Sequence, residues 1–113
     1  MAAHHRVAGL ESKDNGLYEL TLASGDKLTV FICECYSFGV AEYTEAVQKL
    51  GTLSAVIIDS NWCGYTTDAK RHCRREQVGL FNIRDFMAAL NRPDFWAYLN
   101  NGEEELFREK GWL

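Results

Sequence analysis

Residues 17–23, "LYELTLA", alternate apolar and polar positions, and after "SGDK" a second apolar run begins at Leu28 and continues as "LTVFICECY" to Tyr36. Two such runs around Gly25-Asp26 predict a β-hairpin. In "VAEYTEAVQKLG", Val40, Tyr43, Val47 and Leu50 form one stripe, Glu42, Glu45 and Lys49 lie off it, and Gly51 ends it. That is the pattern of an amphipathic helix with a glycine C-cap. "SAVIID" from Ser54 is short and β-branched, which predicts a buried strand. "TTDAKRHCRREQ" follows as a helix with Thr/Asp capping chemistry and Ala69 and Cys73 inward. "VGLFN" reads as another strand, and "IRDFMAALN" as a helix capped by Asn82. Pro93 opens a helix "PDFWAYLN", and Gly102 separates it from an acidic last helix, "EEELFREKGWL".

Strands alternating with helices predict an α/β fold: a mixed sheet starting with a β-hairpin, helices packed on it, and additional C-terminal helices. The 113 residues, 47% hydrophobic, fit a single domain over 1–113 that ends in a helical extension at 93–113.

The formal net charge of −4 argues against a wholesale polyanion binder and leaves room only for a local basic patch. No run is long enough to span a membrane, and "MAAHHRVAGLESKDNG" lacks the apolar core of a secretory signal, so a cytoplasmic protein is expected. Cys33, Cys35, Cys63 and Cys73 are then reduced core residues, with Cys33 and Cys35 on one sheet face; their spacing is not a usual zinc pattern.

Glu34 stands out, because a carboxylate inside a strand buried on both faces needs a cation, a proton or a metal. If facing residues of the hairpin sum to 51, Glu19 lies opposite Ile32 and diagonal to Glu34, roughly 7 Å away at Cα on the same face. A three-residue loop would instead send Glu19 to the other face. The plainer alternative has Glu19 in solvent and Glu34 near a strand end.

"GLYELTLASGDKLTVFICECY", a helix, and "SAVIIDSNWCGYTTDAKRHCRREQVGLFNIRDFMAAL" resemble the restriction-endonuclease-like, or PD-(D/E)XK, superfamily, and most of all its Mrr-type branch. The resemblance covers about residues 16–90. It places Glu19 at the first acid and Glu34 at the second, aligns Tyr65-Thr66 and Ala69 with an aromatic-Thr-x-x-Ala helix start, and lets Gly79-Leu80 open the closing strand. It implies that Glu19 and Glu34 bind Mg²⁺ or Mn²⁺, which would activate water for phosphodiester cleavage. The family's catalytic lysine falls on Tyr36, which offers no cation to the transition state. Lys49 and Lys27 are the substitutes nearby, and neither is well placed. The first 16 residues leave little room for the family's leading helix, so the helices after Pro93 are expected to cover that sheet face.

The expectation is therefore a nuclease-like domain with an eroded active site, binding nucleic acid or a protein partner of a DNA-processing or defence system. An active metal-dependent DNA endonuclease and a small α/β protein-interaction module docking through its acidic last helix are the alternatives. For nucleic acid, Lys70, Arg71, Arg74 and Arg75 share one outward helical face that could grip phosphates. Trp62 and Tyr65 lie in the "SNWCGY" loop at the carboxyl end of a strand, where either could stack on a base. His72 reads as a boundary residue, and Arg108 and Lys110 as part of a solvated, mixed-sign end.

Overall fold

A three-residue loop sets the geometry of the hairpin. In the computed structural model, which describes residues 7–13, 16–34, 37–59, 64–92 and 94–112, β2 (Leu17–Leu22) and β3 (Lys27–Cys33) pair antiparallel. Gly25 N–H donates to the Leu22 carbonyl at 2.9 Å and Leu22 N–H to the Asp26 carbonyl at 2.8 Å. Gly25 adopts φ +95°, a left-handed conformation that glycine takes without the Cβ clash other residues incur. The loop is thus residues 23–25. Partner numbers total 48, with Glu19 opposite Thr29 and Leu20 opposite Leu28, so the register summing to 51 is not formed.

The hairpin is the middle of a five-stranded mixed sheet. β1 (Val7–Ser12) adds antiparallel to β2 at one edge, with a register shift between Val7 and Gly9. On the other side β3 pairs in parallel with β5 (Ala55–Ile58), and β5 with β7 (Gly79–Asn82). The order β1-β2-β3-β5-β7 places the hairpin and the 54–59 strand next to each other, as the sequence pattern predicts. Every residue of β5 is buried, as expected of a strand with parallel neighbours on both edges and helices over both faces. A separate two-stranded parallel pair joins β4 (Ser37–Phe38) to β6 (Gly64–Tyr65).

Two crossover helices cover one face. α1 (Val40–Leu50) ends at Gly51, φ +85°, whose N–H donates to the Val47 carbonyl. α2 (Thr67–Arg75) is capped by Thr66, whose hydroxyl accepts from Ala69 N–H. Tyr43 and Ala46 of α1 and Ala69 and Cys73 of α2 pack there with Phe38, Val56, Ile58 and Leu80. The opposite face holds Leu20, Val30, Ala55, Ile57 and Phe81 beneath α3 (Ile83–Ala89), with Phe95 and Tyr98 alongside. The segment after residue 92 therefore does help to cover the second face.

The C-terminal part departs from the predicted pair of helices. Only Phe95–Ala97 turns, as one 3₁₀ turn. α4 (Asn101–Glu109) is capped by Asn100, whose side chain accepts from Glu103 N–H at 2.8 Å while Asn100 N–H donates to Glu103 at 3.2 Å. Among the described residues no helix is long and apolar enough to cross a membrane.

Candidate functional site

The observed register separates the acids that the sequence places together. Glu19 shares its face with Thr29 and Phe31, and its carboxylate lies 3.5 Å from Lys27 Nζ. Glu34 sits just beyond the last residue of β3 and is exposed. The strand period of two assigns residue 34 to the side of Val30 and Ile32, opposite Glu19. The buried carboxylate inferred from "LTVFICECY" is thus a carboxylate past the end of a shorter strand. Tyr36 and Cys35 lie outside the described residues. The acid beside Glu19 is its cross-strand partner Glu11 rather than Glu34, and each of the two is already matched with a lysine, Glu11 with Lys13 at 3.0 Å and Glu19 with Lys27, so the Glu19–Glu34 pair does not form a shared Mg²⁺ or Mn²⁺ site. Among the described residues no group of three or more His, Cys, Asp or Glu side chains could hold a metal ion. Lys49, the other candidate cation, is exposed on α1 and paired with Glu45 at 2.9 Å.

Lys70 is the clearest correction. Rather than projecting outward with the arginines, it is 1% exposed. α2 lies against β7, and the segment carrying Glu103 closes over the flank that an isolated helix would leave in water. The ammonium donates to the Leu80 carbonyl, lies 4.0 Å from the centre of the Phe81 ring, and comes within 3.9 Å of Glu103. Burial lowers its pKa to about 8, against the opposing pull of Glu103 and Asp85.

Glu103 is the hub of this interior network. It accepts the Tyr65 hydroxyl at 2.6 Å, so Tyr65 is a half-buried hydrogen-bond donor rather than an open stacking platform. Burial, with Glu103 beside it, raises the Tyr65 pKa well above the usual phenol value. Asp85, 8% exposed, accepts from Asn100 Nδ2 at 2.9 Å. The hydropathy pattern starts the last helix at Glu103 and misses both the Asn100-x-x-Glu103 capping box, whose Asn-x-x-Glu spacing is the available signal, and the burial of Lys70 beside it. Trp62 and Cys63 lie outside the described residues.

The other three cations of α2 behave differently. Arg71, Arg74 and Arg75 line one groove of about 440 Å³ with Trp96 and Trp112. The Arg71 guanidinium stacks on the Trp112 ring at 4.4 Å, and Arg74 Nε donates to the Ala97 carbonyl at 3.1 Å. None of the three forms a salt bridge with a described carboxylate. His72 leaves this face: it contacts Glu76 at 2.7 Å and meets the Tyr43 ring edge-on.

Neither protein-family models, nor characterised proteins, nor solved structures give a match to the chain. What the site does is inferred from its own geometry.

Proposed function

We propose that the chain is a nucleic-acid-binding domain on a restriction-endonuclease-like scaffold, and that it holds single-stranded DNA without cleaving it. One observation carries this reading: Arg71, Arg74 and Arg75 share a groove with two tryptophans, and although Asp94 also lines it, none of the three arginines forms an ion pair with Asp94 or with any other described carboxylate. On a chain of net charge −4, a cluster of unpaired arginines is a local attraction for phosphates against an acidic background. Trp112 orients Arg71 by stacking, and the Arg74–Ala97 bond fixes the neighbouring guanidinium, so both cations are held in place before a ligand arrives. Trp96, half-buried and without a ring partner among the described residues, offers a face to an unpaired base. The separation of Glu19 from the position of Glu34 supports the non-cleaving form of the nuclease-like expectation.

Fluorescence anisotropy with a labelled single-stranded oligodeoxynucleotide tests the reading. Three neutralised phosphates give a slope of about −2 in log affinity against log salt. Changing Arg71 and Arg75 to glutamate should abolish binding at moderate salt. Binding that survives the double reversal, or does not respond to salt, overturns the proposal, as does efficient Mg²⁺-dependent cleavage by the wild type.

A further inference from the structure

A second cleft lies across the 95–102 segment from the arginine groove: Ala97 lines the groove, and Tyr98 and Asn100 line the cleft. It holds about 560 Å³ at the carboxyl end of β7, bounded by Asn82, Arg84, Asp85, Tyr98 and Asn100. Its hydrogen-bonding capacity is only partly spent. Asn82 Oδ1 accepts from Asp85 N–H at 2.7 Å, which leaves the Asn82 Nδ2 donors without a described partner. Asp85 Oδ2 accepts from Asn100, and Asp85 Oδ1 has no described partner although the residue is more than nine-tenths buried. The Lys70 ammonium offsets the charge of Asp85 from a distance, but Oδ1 makes no described hydrogen bond, and a ligand that supplies donors satisfies that capacity.

We propose that this cleft recognises a guanine base. Guanine alone among the common bases presents a carbonyl acceptor followed by two adjacent N–H donors along one edge. The donors match the Asp85 carboxylate and the carbonyl matches the Asn82 amide. Tyr98, whose ring also receives Arg92 at 5.1 Å, supplies an aromatic wall, and Arg84 at the cleft supplies a cation for an attached phosphate. The proposal rests on the nucleic-acid reading and deepens it. A strand gripped by the arginine groove would place one base in this cleft, so the domain would prefer strands with a guanine at that position.

Isothermal titration with GMP and IMP isolates the contact, since the two differ only in the 2-amino group. GMP should bind the wild-type chain at least about tenfold tighter, the low end of what a bidentate contact discriminates. In Asp85→Asn the carboxylate's acceptor becomes a donor, so preference should swing from GMP towards XMP, which carries a carbonyl in place of the amine. A gain of XMP binding cannot arise from misfolding. Should the variant fail to fold, the wild-type ratio still decides, together with NMR of the side-chain amides, in which GMP should shift Asn82 and Asn100. Equal affinity for GMP and IMP, or shifts confined to the arginine groove, overturns the proposal. Salt-sensitive DNA binding without guanine preference removes this inference and leaves the functional reading standing; GMP selectivity without DNA binding does the reverse.

Discussion

Lys70 Nζ lies 4.0 Å from the centre of the Phe81 ring, on the inner side of a helix whose neighbouring arginines face a solvent groove. One helix thus carries a cation turned inward to hold the fold and cations turned outward to meet a ligand. Burial lowers the pKa of Lys70 to about 8 from the usual 10.5. The unfolded chain therefore binds more protons than the folded one between those values, and this residue's contribution to stability rises with pH across that window. Below pH 8 the folded state carries the cost of a buried charge. Burial also raises Cys73, to about 12, and that shift opposes the trend above pH 9. The informative quantity is the difference from Lys70→Met: urea denaturation should show wild type gaining on the variant by up to about 3 kcal/mol as pH climbs from 8 to 10.5.

Glu103 answers the charge of Lys70 and accepts the Tyr65 hydroxyl. Glu103→Ala should destabilise the fold by about 2–3 kcal/mol, because it leaves a buried ammonium and a half-buried hydroxyl without their acceptor. Glu103→Gln keeps an acceptor and the capping geometry and should lose less. A urea midpoint for the alanine variant equal to that of wild type would show that the network contributes little.

How much of this was legible in the sequence follows from what each signal measures. Periodicity reports which face of an element is apolar, and it located the hairpin strands, α1, α2 and the caps Asn82 and Gly51. It does not report loop length within one residue. Gly25 at the left-handed position rather than a turn centred on Gly25-Asp26 shifted the partner of Glu19 from Ile32 to Thr29. It is also silent where burial comes from another element. The helical pattern assigns Lys70 to the outward face with the arginines, whereas packing against β7 and Glu103 buries it. β1 was missed because "VAGLES" is short, largely exposed and carries a single β-branched residue.

Gly79 makes room for the Phe81 ring on which Lys70 rests; a Cβ there would collide with that ring. Gly79→Ala should cost about 1–3 kcal/mol through forced displacement of a fully buried aromatic. Differential scanning calorimetry of the variant should show a lowered midpoint, and so should Gly51→Asn: its added Cβ meets nothing, but φ +85° with ψ −162° is a backbone conformation that only glycine adopts without strain, at a cost of about 1–3 kcal/mol. A midpoint for Gly79→Ala unchanged from wild type would mean that the β7–Phe81 packing yields more readily than the geometry indicates.

Trp96 and Arg75 line the same groove and should fail in distinguishable ways when changed. Stacking on an indole face is sequence-tolerant and involves no counterions, so Trp96→Ala should weaken single-stranded DNA by about 1–3 kcal/mol with the salt slope intact. Arg75→Ala removes a phosphate contact, so its loss should be largest at low salt and should flatten the slope by about 0.7. Glu19→Gln, by contrast, removes a carboxylate paired with Lys27 on the hairpin and should leave both affinity and slope unchanged, with or without Mg²⁺. Anisotropy titrations at several salt concentrations measure all three variants together. If Trp96→Ala and Arg75→Ala changed the slope equally, the groove would not divide its work between stacking and charge. A Mg²⁺-dependent loss in Glu19→Gln would instead bring the hairpin carboxylate back into the binding site.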